Sequence, residues 1–387
     1  MASQAETGNG VHCILLVDDE QNILFALKRE LHQWAHDRNV EILTALSAKD
    51  GISILEKRHE DFDVIVSDLR MPEMKGSDFL LEVKQKYPSI ITLLLTGYSE
   101  TGEIVKSVSA GIFSYMLKPW DSGYLLAEIS KAWDYAETRK QNALYMRRME
   151  DELKWAGEMQ KTILRPNLPA TDKIEFRVSY RPVPGLYCGG DYYDVISVGP
   201  DRYLILIGDV AGHGVQAAFV TGILKAVIYP EYIRNVIGSK ISPSDFLGWL
   251  NQRMHFEFRS TNSMLISFFA GLLDLREGSF VYANAGHCHP CVIMNGAVTE
   301  LPVAGTALGV ARSVMYNEQL LAVHPNDLLV FYTDGLSEVG KGVQVPALLA
   351  KVQQGPDYHL RMLEAALSAG GASQFVDDVT VLTARIN

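Results

Sequence analysis

Five short apolar runs alternate with amphipathic stretches in the first third of the chain, and this alternation restricts the fold more than any other feature. Strands separated by helices form βαβ units around a parallel sheet. Residues 11–133 are therefore expected to fold as a five-stranded, doubly wound α/β domain. The predicted strands are Cys13–Val17, Ile42–Ala45, Val64–Ser67, Thr92–Leu95 and Tyr115–Leu117.

Polar residues stand where four of these strands end. They are Asp18, Asp19, Asp68, Thr96 and Lys118. Because the carboxyl ends of parallel strands converge on one crevice, these side chains should share one site. Three carboxylates repel one another unless a cation joins them, and Mg²⁺ suits hard oxygen ligands. Asp68 is then expected to attack a phosphoryl group whose oxygens Lys118 and Thr96 bind.

The segments VDDE, SDLRMP, LLLTGY and YMLKPW resemble the receiver domains of response regulators. This resemblance implies that Asp68 accepts phosphate from a histidine kinase. It also implies that Asp19 and the Arg70 carbonyl bind Mg²⁺, with Asp18 assisting.

The same resemblance makes Tyr115 an aromatic switch. Phosphate on Asp68 would draw the Thr96 hydroxyl inward and vacate space for the tyrosine ring. A core tyrosine is the alternative. We also expect a cis peptide at Lys118–Pro119, because X–Pro bonds carry a small penalty for cis and this turn must aim the lysine inward.

Residues 134–165 form a charged connector that we predict to be helical, because no proline interrupts it before Pro166. A seam of residues that are apolar or small, apart from one glutamine, recurs at spacings of three and four, as in a coiled coil. They are Met146, Met149, Leu153, Ala156, Gln160 and Ile163. Two interpretations stay open: a coiled coil that makes the chain a homodimer, and an amphipathic helix packed on its own domain.

Residues 166–387 contain many strand-like segments and only two obviously helical stretches, near Val215–Tyr229 and Ser242–Arg259. This pattern of many strands and few helices predicts an α+β four-layer sandwich of two antiparallel sheets flanked by helices. The strand-like segments include Ile174–Tyr180, Tyr203–Ile207, Ser267–Leu273, Phe280–Ala283, Leu328–Tyr332 and Thr380–Ala384.

Acidic residues set among glycines or small residues recur in this half. They lie in CGGDYYD (Asp191), IGDVAGHG (Asp209), YTDG (Asp334) and VDDVT (Asp377 and Asp378). Glycine lets backbone approach a metal closely, and carboxylates without competing His or Cys ligands favour Mg²⁺ or Mn²⁺ over zinc. Two such ions can activate a water for hydrolysis of a phosphoester without any protein nucleophile.

Together with NAGHCHP and GTALGV, these motifs resemble the PPM-type (type 2C) serine/threonine phosphatases of the bacterial stress-response and sporulation branch. The resemblance implies that Asp191 and Asp209 contact two Mn²⁺ or Mg²⁺ ions, with Asp209 bridging. The Val210 carbonyl would add a ligand, and Asp334 and Asp377 would hold the other side.

Three further residues are expected near the metals without ligating them: Asp194, Asp378 and His213. His213 could donate a proton or merely pack its loop. The sequence departs from the family at Cys288 and His289, where Asn and Pro are more common, which puts substrate contacts of that loop in doubt.

Composition excludes several classes of function. A net charge of -11 and a pI near 5.4 argue against nucleic-acid binding. The polar residues 1–10, expected to be disordered, lack a signal sequence, and no apolar run is long enough to span a bilayer, so we expect a cytoplasmic protein. The four cysteines should be reduced thiols, with the Cys288–Cys291 pair in a structural loop.

The sequence therefore predicts a response regulator whose phosphorylation controls a protein phosphatase. By resemblance, the substrate is a phosphoserine or phosphothreonine protein, namely an anti-sigma-factor antagonist. The alternative is a non-catalytic adaptor that binds a sigma-factor regulator under the same control.

Overall fold

The computed structural model describes residues 12–97, 111–165, 167–212, 214–236, 241–258, 265–340 and 342–387. Residues 1–10 lie outside these ranges. The chain divides into two compact units between Arg148 and Met149, and each is described by itself. The predicted domain boundaries at residues 133 and 165 stay predictions.

The N-terminal unit is built on a five-stranded parallel sheet, as predicted, and the strand order in this sheet is β2-β1-β3-β4-β5. The strands are β1 (His12–Val17), β2 (Val40–Ala45), β3 (Phe62–Asp68), β4 (Ile91–Gly97) and β5 (Ser114–Lys118). The helices that precede β5 in the described ranges are α1 (Gln21–Arg38), α2 (Ala48–Arg58) and α3 (Gly76–Lys86). The strand order reverses beside β1, and open α/β sheets bind ligands at such a reversal.

Helices cover both faces of this sheet, which explains why its strands are apolar throughout. Leu16 and Leu93 pack on one face against α1 and the start of the next helix, α4 (Ser122–Leu164). Leu15 and Leu94, whose side chains point the opposite way, pack against α2 and α3. Alternate residues therefore fill two separate cores, as a doubly wound sheet requires.

Helix α4 is a single helix of 43 residues. Leu125 belongs to the core of the N-terminal unit and Leu164 to a core of the C-terminal unit. Met149 and Ile163 of the predicted seam are exposed, whereas Gln160 is only 4% exposed. Around Gln160 the helix is therefore packed on its own chain, as in the second of the two interpretations.

The C-terminal unit contains two antiparallel sheets, with the orders β13-β10-β9-β8-β7 and β12-β11-β14-β15-β6. The strands of the first sheet are β7 (Asp191–Gly199), β8 (Arg202–Val210), β9 (Ile266–Asp274), β10 (Ser279–Ala285) and β13 (Gln319–Ala322). Those of the second are β6 (Ile174–Arg181), β11 (Cys291–Met294), β12 (Ala297–Glu300), β14 (Leu328–Tyr332) and β15 (Val379–Ile386).

Three layers of core confirm the predicted four-layer sandwich. Phe269 and Phe331 meet between the sheets, with ring centroids 5.7 Å apart. A second core lies between the first sheet and helices that include α5 and α7, and a third lies between the second sheet and α8 and α9. The helices are α5 (Val215–Ile223), α6 (Tyr229–Val236), α7 (Pro243–Glu257), α8 (Val345–Leu349) and α9 (Tyr358–Gly370).

The expectation of only two helical stretches in this unit was wrong. The first predicted stretch is α5, which passes through a π-helical segment, Leu224–Ile228, into α6. The second is α7, whose N-terminus is capped by the Ser242 hydroxyl. Helix α8 has only five residues, too few to show a helical period. Helix α9 was missed although its signal was present, since Met362 and Ala366 fall on one helical face and are buried.

Candidate functional site

Three charged residues meet at the carboxyl end of the parallel sheet. Lys118 Nζ lies 2.7 Å from Asp18 Oδ2 and also contacts Asp68 Oδ1. Asp18 is 1% exposed and Asp68 7% exposed, so their carboxylates are largely withdrawn from water. The convergence predicted from the strand ends is therefore present for these three side chains.

Backbone amides orient both carboxylates. The Arg70 amide donates to Asp68 Oδ2 at 2.7 Å, and the Glu20 amide donates to Asp18 Oδ1 at 2.9 Å. Burial nevertheless raises the pKa of Asp68. The effect of burial, together with the nearby negative charge of Asp18, outweighs the opposite effect of Lys118. The site is thus short of positive charge. Its oxygen donors fit Mg²⁺, and the exposed Asp19 lies beside Asp18 in the chain.

Thr96 and Tyr115 lie on neighbouring strands of the same sheet. Thr96 is buried on β4 and lies opposite Leu117, two residues from Tyr115, so both side chains leave the same face of the sheet. The Tyr115 ring is 38% exposed and is therefore not a core residue. The Lys118–Pro119 peptide bond is cis, as predicted.

In the C-terminal unit, Asp191 and Asp209 lie directly opposite each other on β7 and β8, on the face toward the second sheet. Asp191 begins its strand, whereas Asp209 lies near the end of its own. Antiparallel neighbours bring such positions together. Asp334 follows β14 and Asp377 precedes the adjacent β15, so all four acids gather at one end of the sandwich.

Two threonines of the second sheet hold Asp191. The hydroxyls of Thr333 and Thr380 donate to Asp191 Oδ2 at 2.9 Å and 2.7 Å. Both threonines are fully buried, so the two bonds join the sheets beside the acids. Sequence reasoning missed both residues, although each is within three positions of an acid, in YTDG and DDVT.

The acids perturb one another strongly. Burial raises the pKa of Asp209 to about 7, and the charges of Asp334 and Asp377 add to this rise. Burial also raises the pKa of Asp191 well above its ordinary value, with Asp209 as the next cause. Asp334 is shifted in the same direction by burial and by Asp377. Buried carboxylates this close together are stable in their charged form only when cations join them.

Gly190 leaves a small cradle lined by oxygen atoms. A Cβ on this residue would lie 2.5 Å from the Val210 carbonyl oxygen and 3.1 Å from both Asp209 Oδ1 and the Gly212 carbonyl oxygen. Within the described residues, no three His, Cys, Asp or Glu side chains already form a cage for an ion. The donors that do converge are carboxylate and carbonyl oxygens, and these suit Mg²⁺ or Mn²⁺.

The remaining predicted residues fall into three different situations. Asp378 accepts hydrogen bonds from the Gly190 amide at 2.7 Å and the Val183 amide at 2.8 Å, so it fixes the turn that carries the cradle. Asp194 points to the opposite face of β7 from Asp191 and pairs with Lys225, so the structure does not bring it to the acids. His213 lies outside the described residues.

Residues 14–130 match the response regulator receiver domain family, and residues 199–387 match the Stage II sporulation protein E (SpoIIE) family. Most of the N-terminal unit thus matches the receiver family, and most of the C-terminal unit matches the SpoIIE family. The N-terminal unit, which carries Asp68, is called the receiver domain, and the C-terminal unit, which carries Asp191 and Asp209, is called the SpoIIE domain.

Individual relatives share only parts of the chain. It is 35% identical over 120 residues to the hydrogenase transcriptional regulatory protein HoxA of Cupriavidus necator, covering 31% of this chain and 23% of HoxA. It is 28% identical over 210 residues to protein IcfG of Synechocystis, covering 48% of this chain and 32% of IcfG. The chain thus matches about a quarter to a third of each relative's length.

A solved structure supports the fold of the C-terminal half. The SiaA-PP2C domain of Pseudomonas aeruginosa aligns with a TM-score of 0.53 and 25% identity, over 63% of this chain and all of that one. None of the helices in the described ranges is both long enough and apolar enough to cross a membrane.

All four cysteines are free in the structure, including Cys288 and Cys291 of the SpoIIE domain. Burial raises the pKa of Cys288 to about 12, and the nearby Asp334 and Asp209 charges act in the same direction. Cys291 is buried within β11, where burial raises its pKa to about 12. Both thiols therefore stay protonated near neutral pH.

Gln160 links α4 to the turn that carries the oxygen cradle. Its Nε2 donates to the Gly189 carbonyl at 2.7 Å and to the Thr221 hydroxyl at 3.0 Å, and its Oε1 accepts from the Gly189 amide at 3.1 Å. Helix and turn are also close at Gly157, where a Cβ would lie 2.3 Å from the Tyr187 carbonyl oxygen. A glutamine within an apolar seam was the available sequence signal for such a specific partner.

Proposed function

We propose that the SpoIIE domain is a metal-dependent serine/threonine protein phosphatase and that phosphorylation of Asp68 in the receiver domain controls it. The observation that carries this proposal is the convergence of Asp191, Asp209, Asp334 and Asp377 at one end of the sandwich. Their mutual charge, together with the carbonyl oxygens around Gly190, makes a site for divalent cations.

In the receiver domain, Asp68 is the phosphoryl acceptor and a histidine kinase is the donor. Lys118 already contacts the Asp68 carboxylate and is placed to bind a phosphoryl oxygen. The hydroxyl of Thr96, on β4, would bind another phosphoryl oxygen. Asp18, Asp19 and the Arg70 carbonyl would hold Mg²⁺. The exposed Tyr115 is the ring that would move when Thr96 does.

In the SpoIIE domain, two Mn²⁺ or Mg²⁺ ions would be held by Asp191, Asp209, Asp334, Asp377 and the Val210 carbonyl. Such ions supply an activated water and neutralise the phosphoryl oxygens. The chain's own part is to fix the ligands. Thr333 and Thr380 hold Asp191, and Asp378 holds the turn at Gly190. His213 would be a hydrogen-bond or proton donor nearby.

The proposed substrate is a protein that carries phosphoserine or phosphothreonine, in particular an anti-sigma-factor antagonist. Supporting this substrate class is the SpoIIE match, which covers residues 199–387. The proposed setting is the cytoplasm. The exposed apolar residues of α4, including Met146, Met149 and Ile163, support a homodimer formed through this helix.

We propose that α4 carries the signal between the domains. The helix is continuous, and its Gln160 binds both backbone groups of Gly189, next to the oxygen cradle. A small shift of α4 would therefore displace the backbone that approaches Val210 and Asp209. Packed elements with two arrangements are the usual means by which phosphorylation is transmitted.

The experiment is release of phosphate from phosphoserine proteins by the full chain with and without Mn²⁺. We expect Mn²⁺-dependent hydrolysis that falls at least about 100-fold in Asp209→Ala, since even outer partners of metal ligands are worth 10–100-fold. Asp172→Ala changes an exposed aspartate of the same domain and should keep full activity. Hydrolysis absent under all conditions would instead favour the non-catalytic adaptor.

A further inference from the structure

A cavity of about 600 Å³ opens on the surface of the SpoIIE domain. Its described lining residues come from the C-terminal end of α7 and from the loop after Leu308. They are Gln252, His255, Phe256, Arg312 and Ser313. None of the four proposed metal-binding acids lines it, so this cavity is distinct from the site described above. It is large enough to take one or two amino-acid side chains of another protein.

The loop after Leu308, which forms one wall of the cavity, is held in place by a buried side chain. Asn251 is fully buried and donates from Nδ2 to the Ala311 carbonyl at 2.9 Å, while its Oδ1 accepts from the Gly309 amide at 2.9 Å. A buried side chain that satisfies two loop backbone groups fixes the loop before any ligand arrives. The exposed Arg312 is therefore presented by a preorganised loop and not by a free segment.

Backbone hydrogen bonds connect this loop, through the start of β9, to the turn that follows Asp209. Leu308 pairs with Ile266 at the start of β9, and the preceding residue, Leu265, accepts a hydrogen bond from the Ala211 amide at 2.9 Å. Ala211 follows Asp209 and Val210 directly in the chain. A protein whose phosphorylated residue reaches those acids would thus bring its neighbouring residues to the cavity.

The described lining of the cavity is basic, although the chain as a whole is acidic. In the described part of the protein neither Arg312 nor His255 forms an ion pair, and no described lining residue is acidic. Arg253, by contrast, is paired with Glu231 and Glu257, each at 3.2 Å. Among the described residues, a chain with a net charge of -11 therefore keeps an arginine without an ion pair in this cavity.

We infer that this cavity receives an acidic segment of the phosphoprotein substrate, next to its phosphorylated residue, and that Arg312 determines this specificity. The inference rests on the proposed phosphatase function. Carboxylates match a guanidinium in charge and in geometry, while the half-exposed Phe256 offers an apolar surface to the same segment.

The test uses the full chain with Mn²⁺ and phosphoserine peptides whose flanking residues are acidic, neutral or basic. Para-nitrophenyl phosphate serves as a substrate without flanks. Wild type should prefer acidic flanks, and Arg312→Ala should lose this preference through a roughly fivefold rise in KM, the scale of an exposed ion pair. Arg312→Glu should favour basic flanks. Hydrolysis of para-nitrophenyl phosphate should be unchanged in both variants.

Arg276→Ala is the matched control, because Arg276 is exposed at the far end of β9 and pairs with Asp274. It should retain the wild-type preference. Equal preferences in wild type and Arg312→Ala, with hydrolysis intact, would overturn the specificity role alone. A wild type that hydrolyses neither peptides nor para-nitrophenyl phosphate would overturn the phosphatase function and this inference together.

Discussion

The hydroxyl groups around Asp191 show how single residues decide the properties of the acid site. A buried carboxylate is costly unless it is hydrogen-bonded or paired with a cation. Thr333 and Thr380 supply two hydrogen bonds from the opposite sheet. They keep Oδ2 of Asp191 fixed, and the second oxygen is the one that would contact the proposed metal.

Replacing Thr380 by valine preserves shape and removes one of these donors. We expect phosphatase activity to fall about tenfold or more, as for other groups that orient metal ligands, because Asp191 loses its orientation. The free energy of unfolding should fall by about 1–3 kcal/mol, the cost of an unsatisfied buried group. The measurements are Mn²⁺-dependent kinetics and denaturant unfolding. Thr383→Val, on the same strand but the opposite face, should leave activity unchanged.

His287 predicts how the SpoIIE domain responds to acid. Burial lowers the pKa of this histidine from 6.5 to about 4, while its Nδ1 lies 2.7 Å from the Ser267 hydroxyl. The unfolded chain binds a proton near pH 6.5 and the folded chain does not. The histidine's contribution is therefore complete above about pH 6.5 and is lost as the pH falls toward 4.

Replacing His287 by glutamine should remove this part of the acid sensitivity. We expect the loss of stability between pH 6.5 and 4 to shrink by roughly 2–3 kcal/mol relative to wild type. Chemical unfolding at several pH values measures the difference. Parallel profiles for wild type and His287→Gln would contradict the assignment.

At the scale of helices and strands, Gln160 is where α4 meets the cradle turn, and its replacement by leucine should damage the site. The Gly189 amide and carbonyl both lose their partner in a buried setting, which costs about 1–3 kcal/mol. We expect kcat to fall while KM for phosphopeptides stays near its wild-type value. Gln141→Leu, an exposed position on the same helix, should change neither quantity.

Elements with a strong local signal could be predicted from the sequence. The parallel strands end in Asp18, Asp68 and Lys118, and one topological rule places those ends together. The antiparallel half follows no such rule, since Asp191 begins a strand and Asp209 lies near the end of another. Edge strands such as Ala297–Glu300 are too short and too exposed to show a pattern.

Some site assignments needed the structure because they depend on side-chain direction. Asp194 is three residues from Asp191, and an odd separation along a strand points it to the other face. Asp378 and Asp377 are adjacent, yet Asp378 is used by the Gly190 and Val183 amides. The sequence could not reveal these bonds, because they join positions almost 200 residues apart.

For the whole molecule, the joined domains predict control of one site by the other. A phosphodonor such as acetyl phosphate should change the phosphatase rate of the full chain about fivefold or more, the usual range of coupling between sites. The reason is that phosphate on Asp68 would shift Thr96 on β4 and Tyr115 on β5, and β5 is followed in the chain by α4. Asp68→Asn should abolish the response, while Asp37→Asn, an exposed change on α1, should retain it. Equal rates with and without the donor would refute the coupling.

The last strand has a consequence for how the protein is made. β15 (Val379–Ile386) lies inside its sheet, between β14 and β6, and the two residues before it are Asp377 and Asp378. Strand β6 cannot pair with β15 until some 200 further residues have been synthesised. A nascent chain can therefore complete its receiver domain on the ribosome, but it cannot assemble the acid site until residues 377–386 have emerged. A copy that lacks residues 377–386 therefore lacks part of the proposed metal site.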